Sequence, residues 1–156
     1  MALTGAPERV AGPPSERSGV SAPRILVIAT LLCSYPGIDA TGQAHMEYPP
    51  NTYVIPTPDP VMFPESIYLY CFERGIDGIL IASCGTDSPY QGSYDQLAAR
   101  VNTVYRLMKE RGIDIRRLKL TSICSVCTKA FVKEVESMNA VLGELGPLAR
   151  PLAAAR

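Results

Sequence analysis

Features that would tie this chain to a membrane, a polyanion or a nucleotide are missing. Its 156 residues contain no unbroken apolar run of the roughly 20 residues that a transmembrane helix needs. Residues 1–22 show no apolar core of the kind that marks a secretory signal. Fifteen basic and fifteen acidic side chains cancel, so no net charge draws the protein to nucleic acid or to an anionic bilayer. Histidine occurs once, at His45, which gives a Cys-His or Ser-His-Asp catalytic arrangement little support. Neither G-x-G-x-x-G after the first strand-like run nor G-x-x-x-x-G-K-[ST] is present, and with them go the usual phosphate cradles. The expectation is a cytoplasmic protein with no nucleic-acid partner and no direct membrane insertion.

What the chain does contain is alternation. Arg24 to Ala29, Thr52 to Ile55, Gly78 to Ala82 and Leu118 to Ile123 are short apolar runs that read as strands. Ser93 to Arg111 spaces Tyr94, Leu97, Val101, Val104, Tyr105 and Met108 three and four residues apart, which describes an amphipathic helix. A second strong helix runs through Phe131, Val135, Met138 and Leu142. A shorter one starts at Pro64 and stops at Gly75, with Ile67, Tyr70, Cys71 and Arg74 on one face. Thr30 to Gly37 reads as a loop and Ile38 to Met46 as a short helix. Strands alternating with helices predict an α/β fold: a small flavodoxin-like three-layer domain with about four parallel strands and helices on both faces. The length suits one domain over 24–147, with a Pro/Gly/Ser-rich flexible tail over 1–23 and a frayed tail over 148–156.

Five cysteines in such a chain point to reduced thiols, metal ligands or small core residues rather than a disulfide framework. Cys33, Cys84 and the C-x-x-C pair Cys124 and Cys127 all follow strand-like runs, so a parallel sheet brings them to one edge. Four thiolates on separate loops suit a two-iron cluster and equally a structural zinc. Cys127 stands at the start of the last helix, where the helix terminus favours a thiolate. The same C-x-x-C also matches a thiol-disulfide redox pair. Cys71 sits within a helix beside Ile67 and reads as core, and His45 as a surface or hydrogen-bonded residue. Asp39 and Asp87 suit capping or turn roles, with assistance to a site as the alternative, and Tyr35 and Tyr90 suit packing or docking.

Three stretches carry a resemblance. They are Cys33-Ser34-Tyr35-Pro36-Gly37-Ile38-Asp39, Phe72-Glu73-Arg74-Gly75-Ile76-Asp77-Gly78-Ile79-Leu80-Ile81 before Cys84, and Arg111-Gly112-Ile113-Asp114-Ile115-Arg116-Arg117-Leu118. With Leu145-Gly146-Pro147 they make residues 24–147 resemble the delta-subunit family of methyl-viologen-reducing hydrogenase, small iron-sulfur subunits that work with heterodisulfide-reductase-like flavoproteins.

The resemblance implies an electron-transfer subunit of an oxidoreductase complex rather than a stand-alone enzyme. Its [2Fe-2S] cluster would relay electrons between a hydrogenase or other dehydrogenase and a flavin-containing heterodisulfide-reductase-like subunit. Cys33 matches the second cysteine of the family's first C-x-x-C, and Cys84 the cysteine after the third strand. Thr30 replaces the leading cysteine of that motif, no cysteine follows Ile55, and Ser88-Pro89 replaces a cysteine-histidine stretch. Conversely, Cys124 and Cys127 occupy a segment where the family usually has none. Two accounts follow. Either Cys33, Cys84, Cys124 and Cys127 form a rearranged ligand set for the cluster, or the chain is a cluster-free docking subunit whose C-x-x-C is zinc-bound or structural; apart from both, the C-x-x-C leaves open a thiol-disulfide redox protein that uses Cys124 and Cys127.

Overall fold

A computed structural model describes residues 22–148 of the chain. The expected tails over 1–23 and 148–156 lie outside the described residues, apart from 22, 23 and 148. Elements follow in the order β1 (Ile25–Thr30), α1 (Ser34–Gln43), β2 (Thr52–Thr57), α2 (Glu65–Glu73), β3 (Gly78–Ser83), α3 (Ser93–Glu110), β4 (Leu118–Ser122) and α4 (Thr128–Leu145), with single 3-10 turns at Pro60–Met62, Gly85–Asp87 and Ile115–Arg117. The strands form one four-stranded sheet in the order β2-β1-β3-β4, and every neighbouring pair is parallel. This is the expected α/β domain of flavodoxin-like type.

Every residue of β1 and β3 is buried, which is why their sequences are apolar up to the closing Thr30 and Ser83 rather than alternating. Successive side chains still point to opposite faces. Leu26 and Ile28 of β1 join Ile79, Ile81 and Leu118 beneath Tyr68, Leu69 and Phe72 of α2 and Leu97, Val101, Val104 and Met108 of α3. Ile25, Val27 and Ala29 join Leu80 and Ala82 beneath Ile38 of α1 and Phe131, Val135, Met138 and Leu142 of α4. Two cores therefore sandwich the sheet. Among the described residues no helix is long and apolar enough to cross a membrane.

Three local expectations are corrected. Helix α1 begins at Ser34, not Ile38: Pro36 lies in the first turn, where a missing N–H costs nothing, and buried Ser34 is pinned at the helix start by hydrogen bonds to β1 and β3. Strand β2 continues through Pro56 to Thr57, because it is an edge strand and its outer side needs no donor. The buried face of α2 is Tyr68, Leu69 and Phe72. Tyr70 is exposed and stacks under the Arg74 guanidinium, whereas Cys71 is half-buried against the α2/α3 core.

Tyr68 has no exposed surface, and its hydroxyl has no hydrogen-bond partner among the described groups. Burial disfavours the phenolate and, although nearby Arg100 pulls the other way, pushes the pKa up to about 12. An unfolded tyrosine ionises near pH ~10. The native chain therefore keeps a proton that the unfolded chain has lost, so stability is complete below about pH 10 and declines as pH rises toward the folded value. Urea midpoints measured across this alkaline window are expected to fall in wild type and to fall less in Tyr68→Phe, which removes the ionisable hydroxyl. Parallel slopes for the two proteins would sink the assignment.

Candidate functional site

Strand order reverses between β1 and β3: the chain leaves β1 for β2 on one side and later reaches β3 on the other. In a doubly wound sheet the crevice beyond the carboxyl ends of such strands is where ligands collect. Cys33 follows β1 and caps the amino end of α1, while Cys84 follows β3 and precedes the 3-10 turn at Gly85. The two thiols flank the crevice, with Cys33 near enough to influence the ionisation of Cys84. Neither is in a disulfide; Cys84 is buried and Cys33 half-buried. Burial, with the Cys33 contact adding to it, pushes the Cys84 thiol up to about 12. Cys84 is therefore a protonated thiol at neutral pH.

The floor of the crevice is built from hydroxyls. Ser34 Oγ accepts a hydrogen bond from the Thr30 N–H at 2.8 Å and donates to the Ala82 carbonyl at 2.7 Å. Thr30 Oγ1 donates to the same carbonyl at 3.3 Å. These bonds join the end of β1, the start of α1 and the end of β3, and so fix where Cys33 and Cys84 stand. Sequence reasoning passed over Ser34, although its place directly after a strand-end cysteine and two residues before a proline is a helix-start pattern.

The C-x-x-C occupies the β4–α4 connection. Cys124 and Cys127 are joined in a disulfide, with Cys124 exposed, Cys127 half-buried, and Cys127 at the amino cap of α4. The pairing of Ser83 with Ser122 sets this loop beside the Cys84 loop. Close backbone packing ties the three loops together. A Cβ at Gly37, one turn into α1, would lie 2.5 Å from the Cys124 carbonyl oxygen, and one at Gly85 would lie 2.6 Å from Ser122 Oγ. Gly85 also takes a positive φ of 63°, which suits glycine alone without strain.

Four cysteine sulfurs are right in kind and number for a [2Fe-2S] cluster or for zinc. Here they stand as two free thiols and a disulfide. Among the described residues no group of three or more His, Cys, Asp and Glu side chains is gathered to hold a metal. In this oxidised state the donor set does not fit either group.

His45, Asp39 and Tyr35 take structural roles. His45 is exposed and adopts a left-handed φ of 53° just beyond α1. Its N–H bonds the Gly42 carbonyl and the next N–H bonds that of Thr41, the paired bonds of a Schellman terminus. Asp39 accepts a hydrogen bond from Gln43 on the outer face of α1. Tyr35 packs partly against the α1/α4 core, and Tyr90 is exposed. Asp87 closes the 3-10 turn after Cys84. A cavity of about 490 Å³ lined by Phe72, Ile113, Leu145 and Leu148 lies at the amino-terminal end of the sheet, away from the thiols.

Comparison with known proteins converges on one group. Residues 25–146 match the family model described as methyl-viologen-reducing hydrogenase, delta subunit. A subunit of the ferredoxin:CoB-CoM heterodisulfide reductase of Methanosarcina mazei is 30% identical over 122 residues, 77% of this chain and 15% of that protein. An iron-sulfur subunit of the F420-non-reducing hydrogenase of Archaeoglobus profundus is 28% identical over 127 residues, 80% of this chain and 92% of that protein. The chain thus spans 15% and 16% of the two heterodisulfide reductase subunits that it matches, and almost all of the hydrogenase iron-sulfur protein.

Proposed function

From the premise that the chain belongs to the methyl-viologen-reducing hydrogenase delta-subunit family, we propose that it is an electron-relay subunit. It would join a hydrogenase or other dehydrogenase to a flavin-containing heterodisulfide-reductase-like subunit. The observation that carries this reading is the composition of the sheet edge. Cys33, Cys84, Cys124 and Cys127 share it with Leu31, Leu32 and Val126, whose exposures are 45%, 63% and 81%. Large apolar side chains left bare around redox-active sulfurs suit a surface that is covered in an assembly. Val126 lies inside the C-x-x-C itself, so a partner that covers it also excludes water from Cys124 and Cys127.

The redox group of this reading is a [2Fe-2S] cluster on Cys33, Cys84, Cys124 and Cys127. When bound, such a cluster supplies one-electron storage. Ligation requires thiolates, so Cys124 and Cys127 would hold such a cluster only in their reduced form. The disulfide itself favours a second reading, a cluster-free docking subunit in which Cys124 and Cys127 act as a two-electron couple.

The two readings part on iron and acid-labile sulfide analysis of protein purified anaerobically with its partners, combined with electron paramagnetic resonance after dithionite reduction. About two irons per chain, with a reduced-cluster signal abolished in Cys124→Ser, is the result expected for the relay. A metal-free chain that still co-purifies with its partners would remove the cluster and leave the docking subunit.

A further inference from the structure

We propose that Cys33 and Cys84 form a second dithiol couple, which exchanges with the Cys124–Cys127 disulfide inside the same chain. This goes beyond the relay reading and concerns the metal-free protein. Its basis is that one edge of the sheet holds both halves of a thiol-disulfide reaction: two free thiols that follow the paired strands β1 and β3 and a disulfide on the adjoining loop.

The loops that carry these pairs touch. Gly37 stands one turn along α1 from Cys33 and lies directly against the Cys124 carbonyl, and Gly85, next to Cys84, lies against Ser122 at the end of β4. Exposure assigns the roles. Cys33 is half-buried and Cys84 buried, so Cys33 is the accessible attacking sulfur of its pair. Cys124 is exposed and Cys127 half-buried, so Cys124 is the accessible sulfur to be attacked. Cys127 is then the leaving group, and it caps an 18-residue helix whose amino terminus stabilises a departing thiolate.

The exchange balances without any external reagent. The Cys33 thiolate attacks Cys124 Sγ, forming a Cys33–Cys124 bond and breaking Cys124–Cys127, with Cys127 released as a thiolate. Cys84 then attacks Cys33 Sγ, forming Cys33–Cys84 and releasing Cys124. Cys33 and Cys84 are oxidised, Cys124 and Cys127 are reduced, and the two protons lost by the first pair are taken up by the second. The result moves two electrons from a buried couple to one that faces solvent or a partner.

The test uses the full chain, made metal-free with a chelator, equilibrated anaerobically in a series of glutathione redox buffers, quenched in acid and alkylated. Disulfides are mapped by peptide mass spectrometry, and iron is measured on the same samples. Wild type is expected to show Cys33–Cys84 growing in across part of the series, and Cys84→Ser to accumulate the Cys33–Cys124 bond at least tenfold above wild type, with Cys71→Ser behaving as wild type. Cys84→Ala, checked for folding by circular dichroism, repeats the trap if the serine variant misfolds. Cys33 and Cys84 alkylated together in every buffer, with no trapped intermediate in a folded variant, would overturn the exchange. So would thiols held by iron that withstands the chelator, and that outcome would leave the relay reading standing, because the two ideas fail on different measurements.

Discussion

Phe131→Ala is expected to lower the unfolding free energy by about 3–5 kcal/mol, the range for truncating a buried phenylalanine. Phe131 lies in the first turn of α4 and has no exposed surface. Its ring meets Tyr48 edge-on, with centroids 5.1 Å apart and planes at 76°, and it shares a core with Val27, Leu80 and Ile38. Alanine removes those contacts and leaves a cavity between two helices that the sheet cannot collapse to fill. Domains of this kind have only about 5–15 kcal/mol in total, so a fifth or more of the stability is at stake. Urea denaturation measures it, and a midpoint shift worth under ~1 kcal/mol would contradict the packing described. Because Phe131 is four residues after Cys127, the same variant should make the C-x-x-C easier to reduce.

Gly37→Val should have the next largest effect, and on the site rather than on the core. Even a bare Cβ there meets the Cys124 carbonyl oxygen at 2.5 Å, and that oxygen belongs to the backbone and cannot swing away. Either α1 or the β4–α4 loop must move, at a cost of about 1–3 kcal/mol typical of overpacking. The expected signature is Cys124–Cys127 reduced severalfold faster by dithiothreitol than in wild type. Gly42→Ala is the control, since nothing lies within 4 Å of a Cβ at that position; it should raise stability by a few tenths to ~1 kcal/mol, as replacing an exposed helical glycine does. Unchanged reduction kinetics in Gly37→Val would mean that the loops are not coupled.

The contrast between these two glycines shows what a sequence can and cannot disclose. Both sit in α1, but only the fold brings a carbonyl from 87 residues later onto one of them. The strands were legible because β1 and β3 are buried on both faces and carry unbroken apolar runs. Helices α3 and α4 were legible because Leu97, Val101, Val104 and Met108, and Phe131, Val135, Met138 and Leu142, keep helical spacing. Helix α2 misled because Tyr70 and Tyr68 are the same residue type with opposite fates, one exposed beneath Arg74 and the other fully buried. Local composition also hid the start of α1, where Ser34-Tyr35-Pro36-Gly37 has the look of a turn until Ser34 finds its partners on β1 and β3. The gathering of four cysteines at one edge followed from strand position alone. Their division into a thiol pair and a disulfide depends on distances between loops, which spacing along the chain does not encode.

The position of β1 at the centre of the sheet also dictates when the fold can be completed. Both of its hydrogen-bonded neighbours come later in the chain, and the second, β3, begins 53 residues after β1 does. A chain emerging from the ribosome at about 5–20 residues per second therefore carries β1, fully apolar and without half of its partners, for several seconds. Such non-local parallel pairing is intrinsically slow, since loop entropy is lost before contacts compensate it. Over that interval Ile25 to Ala29 is the segment most in need of a chaperone, and the Cys33 thiol that follows it waits in the open until Ser83 has been added and Cys84 can arrive beside it.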